Sequence, residues 1–184
     1  APMEFSEVAS MAMELIAGDD IYVFYSPEDA RRSTREHLED ILEVLVWVAN
    51  IDAFQHWMYE NPKHTAEERK NMWVTLHKRF GGDVTNWQGL ENVRDYLWHR
   101  QLHIFEVPFY YIEYGIAQLG ALQLWRQAKD DPKRALTNYR NGLKLGGSRP
   151  LPELYKAAGI EFDFSEKTIA PLVQLVKEEW ERLV

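Results

Sequence analysis

Six histidines and 29 acidic residues among 184 make metal or acid–base chemistry the first question this sequence raises. The spacings narrow the answer. A Glu-x-x-His pair of the di-iron type is absent, because Thr34, Ala53, Asn61, Val74, Tyr96 and Arg100 stand three before His37, His56, His64, His77, His99 and His103. The zinc helix motif His-Glu-x-x-His is absent too. Only His99 and His103 stand four apart. On one helix they would share a face and could hold a metal given a third ligand, although one surface and one core histidine is the plainer expectation. No Gly-rich phosphate loop occurs; Gly81-Gly82 and Gly146-Gly147 fall where helices are expected to end.

Two segments carry more chemistry. Near the start, Glu7, Ser10, Met11 and Glu14 follow the i, i+3, i+4, i+7 rule and share one face of a mostly apolar helix. If that helix is buried, its carboxylates are costly unless a cation compensates them, and either an arginine or a metal ion would serve. Downstream, Pro108-Phe109-Tyr110-Tyr111-Ile112-Glu113-Tyr114 follows His103 closely and concentrates phenols beside an imidazole. Tyr110 and Tyr114 would share a helix face, as would Tyr111 and Tyr114; core packing is the competing use of such rings.

The elements that must position these residues all read as helices. Residues 5–17 form a small and apolar first helix with little polar surface, stopped by Gly18-Asp19-Asp20. Ser26-Pro27-Glu28-Asp29 is a helix start, and the pattern runs from there to about residue 60, before Asn61-Pro62. Thr65 with Glu68 makes a capping box for a helix ending near Phe80. Amphipathic helices are predicted over 90–101 and 108–129, interrupted at Val107-Pro108, and over 132–145, 152–158 and 166–182. With no strand alternation, repeat or long linker, the fold class is all-α, about eight helices in one domain.

Composition sets outer limits. A hydrophobic share of 46% and a charged share of 27% fit a soluble domain rather than a disordered or collagen-like chain. A net charge of -8 argues against nucleic acid or an anionic membrane as partner, since both need a basic face. The absence of cysteine removes disulfides, thiol catalysis and cysteine-based zinc sites. No apolar run is long enough to span a membrane, and no basic-then-apolar signal peptide opens the chain. The sequence starts at Ala1 without an initiator methionine, so upstream context is expected to be missing.

Three segments, in order, give the sequence a family resemblance. Phe5-Ser6-Glu7-Val8-Ala9-Ser10 with Glu14 resembles the segment that supplies the third zinc ligand in the oligoendopeptidase F and thimet oligopeptidase family of zinc metallopeptidases. His103 through Tyr114 is similar to that family's histidine and tyrosine-rich helix, which lines the catalytic cleft. Gly146-Gly147-Ser148, Pro152-Glu153-Leu154 and Ala158-Gly159 resemble the closing segment of oligoendopeptidase F chains. The thimet branch carries a glycine-rich loop where Val107-Pro108 stands here.

The resemblance implies an all-helical, neurolysin-like zincin catalytic-domain fragment without substantial sheet. It implies one zinc ion in the parent protein, held by Glu7 and two histidines of a His-Glu-x-x-His helix upstream of Ala1, which also carries the general base. Glu14 would orient a zinc-binding histidine. His103, Tyr110, Tyr111 and Tyr114 are the candidates to donate a hydrogen bond to the oxyanion, with core packing the expected use of at least one of the tyrosines. Substrates would be short unstructured peptides entering a deep channel, in the cytoplasm, and the remaining N-terminal part of the parent would be the chain's partner. Without that part, the fragment is expected to hold no zinc and to be inactive. Two other readings stay open: a zinc carboxypeptidase of related fold, and a non-enzymatic helical interaction module in which arginines hold the Glu7 helix and the tyrosines pack a core.

Overall fold

The computed structural model describes residues 1–81 and 84–183. Among them the chain forms nine α-helices and two 3₁₀ segments, with no strand. They are α1 (Met3–Ala17), α2 (Pro27–Glu60), α3 (Ala66–Gly81), α4 (Glu91–Arg94), α5 (His103–Glu106), α6 (Ile112–Asp130), α7 (Pro132–Lys144), α8 (Leu151–Ala157) and α9 (Glu166–Glu181). The 3₁₀ segments are Gly18–Val23 and Leu97–Arg100. No helix among the described residues is long and apolar enough to cross a membrane.

The starts of the long helices follow local rules. The Ser26 hydroxyl accepts from the Asp29 N–H at 3.2 Å, one residue before Pro27 opens α2. At α3 the capping box closes in both directions: Glu68 N–H donates to Thr65 Oγ1 at 3.2 Å, and Thr65 N–H donates to the Glu68 carboxylate at 2.7 Å. Asp131 caps α7 by accepting from the Arg134 N–H at 3.0 Å. Gly82, half of the glycine pair expected to end α3, lies outside the described residues.

The chain divides into two compact units. The first comprises residues 1–42 and 116–184. Its core takes Phe5, Val8, Ala12 and Leu15 from one face of α1, Leu122 and Leu124 from α6, Tyr155 from α8 and Leu172 from α9. Two glycines let backbones approach α1. A Cβ on Gly142 of α7 would stand 2.7 Å from Phe5 Cζ, and one on Gly120 of α6 would stand 2.9 Å from Val8 Cγ2. Two phenols stitch the unit: Tyr139 donates to the Ala9 carbonyl and Tyr155 to the Ile116 carbonyl, each at 2.9 Å. Gly18 does not stop the chain as expected. It adopts right-handed helical angles, and the helix tightens into the 3₁₀ segment instead.

The second unit, residues 43–115, is built on aromatic rings. Ile51 and Phe54 of α2, Trp73 and Leu76 of α3, Trp98 and Ile104 form its buried cluster. Phe54 stands at 5.3 Å from both Trp73 and Trp98, and Trp73 also donates its indole N–H to the Arg94 carbonyl at 2.7 Å. That bond and the burial of Trp98 shape the following stretch. The single helix expected over 90–101 is instead α4 and a 3₁₀ segment.

Candidate functional site

The His99–His103 metal pair fails on this geometry. His99 sits in the 3₁₀ segment, exposed and edge-on to Trp98 at 4.0 Å, while His103 opens α5. No shared helix aligns the two imidazoles. The expected helix over 108–129 also begins later, at Ile112, because Phe109 takes a left-handed φ of 61° after Pro108. Tyr110 and Tyr111 therefore precede α6, and the helical-face argument for pairing them with Tyr114 does not apply.

The turn brings the rings together by another route. His103 lies 5.8 Å from Tyr110 and nearly parallel to it, 4.9 Å from Tyr111, and 5.7 Å from Tyr114 at a right angle. Tyr114 closes the group at 5.7 Å from Tyr110 and 5.3 Å from Tyr111. All four are partly buried. The Tyr111 phenol is held above its ordinary pKa chiefly by burial and by Tyr114, against the Arg100 charge and a hydrogen bond with Trp47. It is therefore a neutral hydrogen-bond donor over the working pH range.

Behind His103 lies a contact that sequence reasoning misses. Gln101 places its amide nitrogen 2.7 Å from His103 Nδ1, and its amide oxygen accepts from the Trp47 indole N–H at 2.9 Å. A glutamine carries no chemical signature in a sequence, and Trp47 stands 54 residues away. The only local signal is its place two residues before the histidine.

In the first unit, α1 keeps Glu7 and Glu14 on one face, away from the face that packs Phe5, Val8, Ala12 and Leu15. The helix is thus half open, not buried all round. Glu7 is partly buried, and the Ser10 hydroxyl is shared between its backbone carbonyl at 3.0 Å and its carboxylate at 3.1 Å. Glu14 is exposed and faces His37 Nε2 at 3.6 Å. Among the described residues neither has the arginine partner that a buried helix would require, because the exposed face leaves water to solvate them.

Zinc sites take three or four protein ligands. Among the described residues no group of three or more histidines, aspartates and glutamates is placed to hold a metal ion. Among the described residues, Glu7 is not grouped with two further histidine or carboxylate side chains that could join it on a metal ion.

A family model decides the lineage: that of peptidase family M3 matches residues 1–173. The chain belongs to peptidase family M3. Solved structures agree. PZ peptidase A with a bound inhibitor matches this M3 chain at a TM-score of 0.89 and 31% identity, over 97% of this chain and 32% of its own. A protein provisionally assigned as oligoendopeptidase F matches at 0.85 and 35% identity, over 97% of this chain and 31% of its own. Another, from Bacillus anthracis str. Ames, matches at 0.77 and 30% identity, over 98% of this chain and 29% of its own. The M3 chain, all-α among its described residues, shares the fold of the matching part of each and spans about a third of their length. The search of curated proteins finds no match.

Proposed function

We propose that this chain is the C-terminal part of the catalytic domain of a zinc-dependent oligoendopeptidase that hydrolyses short peptides in the cytoplasm. The observation that carries the reading is the gathering of three phenols around one imidazole in a chain of the M3 family. Peptide hydrolysis passes through a tetrahedral oxyanion, and neutral donors aimed at it contribute much of the rate enhancement in acyl-transfer catalysis. The donors are proposed to come from among His103, Tyr110, Tyr111 and Tyr114, and the raised pKa of Tyr111 keeps its proton available.

Glu7 is proposed as one metal ligand. Two histidines and a general base, supplied by a His-Glu-x-x-His helix outside this chain, would complete the set. Zinc bound there supplies Lewis acidity toward the scissile carbonyl. The Ser10 hydroxyl lies within donating reach of the Glu7 carboxylate at 3.1 Å and of the Glu7 carbonyl at 3.0 Å. Glu14 already faces an imidazole, His37, and its proposed role is to accept from a ligating histidine. Short, unstructured peptides are the proposed substrates, and the rest of the parent catalytic domain is the proposed partner. The isolated chain is proposed to bind no stoichiometric zinc and to hydrolyse nothing.

The test uses the longer protein, this chain together with the segment carrying the two histidines, on a quenched-fluorescent peptide. Replacing His103 by Phe keeps a ring and removes the donor. A fall in kcat of about 10²–10³-fold with little change in KM is expected; unchanged kcat contradicts the donor role.

A further inference from the structure

We infer that Gln101 is a positioning residue that fixes the tautomer of His103, placing the imidazole proton on Nε2. The inference rests on the reading of His103 as a hydrogen-bond donor. It begins at Trp47, whose indole N–H can donate but never accept. That N–H points at the Gln101 side chain at 2.9 Å, with the Tyr111 phenol oxygen as a second acceptor beside it, and the Gln101 atom that faces it must be the amide oxygen. Turning the amide over would set its NH₂ against the indole N–H with no acceptor between them. Trp47 is itself braced, edge-on to Trp73 at 5.7 Å and under the Arg100 guanidinium at 5.1 Å.

With its oxygen committed, Gln101 presents only N–H groups to His103 Nδ1, 2.7 Å away. Nδ1 therefore accepts through its lone pair, and the single proton of the neutral ring resides on Nε2. Gln101 is 8% exposed, so water competes poorly for either end of the amide. Trp47 on α2 thus dictates the amide, the amide dictates the imidazole, and the ring arrives with a donor at its far edge. The opposite tautomer would offer a lone pair there, which repels an oxyanion.

The tautomer can be read without turnover. The chain, labelled with ¹⁵N at histidine, is studied by long-range ¹H–¹⁵N correlation at about pH 8, where ordinary histidines are neutral. His103 is assigned by the signals lost in His103→Gln. The expected pattern is an unprotonated Nδ1 with the proton on Nε2. In Gln101→Glu the new carboxylate can only accept, so the proton is expected to move to Nδ1. Finding Nδ1–H in the wild-type chain overturns the inference, as does an Nδ1 that stays unprotonated in Gln101→Glu. Should that variant not fold, the wild-type spectrum alone decides. In the longer protein Gln101→Glu is expected to lower kcat about 10²-fold with KM nearly unchanged. The donor reading fails separately: if the Nε2–H form is present yet His103→Phe retains full kcat, the tautomer assignment stands and the oxyanion role falls.

Discussion

Gly142→Ala tests how α1, the helix carrying Glu7, is held. The added Cβ would lie 2.7 Å from Phe5 Cζ and 3.0 Å from Ala158 Cβ. Carbon atoms in good contact sit about 3.5–4.0 Å apart, so close to 1 Å must be found on the Phe5 side alone. Phe5 has little room to yield: it is 2% exposed, and Tyr155 stands 6.0 Å from its ring. Overpacking of this kind costs about 1–3 kcal/mol. Alanine regains about 1 kcal/mol through helix propensity in α7. With contacts on two sides the steric cost belongs in the upper half of its range, leaving a net loss of about 1–2 kcal/mol. Urea unfolding should show this as a lower midpoint at unchanged slope. Phe5→Leu removes the atom in conflict, so Phe5→Leu with Gly142→Ala should be more stable than the sum of the single changes by about 1 kcal/mol. A Gly142→Ala chain as stable as the parent, or additive double-variant energies, would refute the claim that this contact sets the approach of α7 to α1.

Two further outcomes follow from the same structure. Tyr155→Phe removes the 2.9 Å bond to the Ile116 carbonyl, whose hydroxyl burial holds firmly in the protonated form, and should cost about 1 kcal/mol in urea unfolding; no change would show the bond to be idle. His77 is held below its ordinary pKa by burial and by the Arg94 charge, so the folded state favours the neutral ring. Its contribution to stability is complete above about pH 6.5 and is lost as the pH falls below that value. The wild-type chain should therefore lose stability relative to His77→Gln between about pH 7 and pH 5, and parallel pH profiles would contradict the shift.

What was legible in the sequence was what short-range chemistry decides. Ser26-Pro27, the Thr65–Glu68 box and Asp131-Pro132 each satisfy backbone N–H groups within a few residues, and helices begin there. The stretch from 90 to 114 was not legible, because distant groups shape it. The Trp73 indole takes the Arg94 carbonyl, Trp98 is drawn against Phe54, and Phe109 turns the chain before α6. The candidate site shares this division. Glu7 and Glu14 share a face because α1 is a regular helix, and family resemblance pointed to His103 and the tyrosines. The ring cluster forms through a turn, however, not through helical periodicity, and Gln101 became visible only when Trp47 was brought beside it in space.

Glu7 is proposed above as a metal ligand of a peptidase, with the remaining ligands supplied from outside this chain. The most direct test of that proposal is Glu7→Gln in the longer protein, with zinc content and peptide hydrolysis measured on the same sample. Glutamine keeps the length of the side chain and an acceptor for the Ser10 hydroxyl, and it removes the negative charge. Loss of stoichiometric zinc together with loss of hydrolysis is expected, in a protein that remains folded. A variant that retains one zinc per chain and near-normal hydrolysis would contradict the proposal.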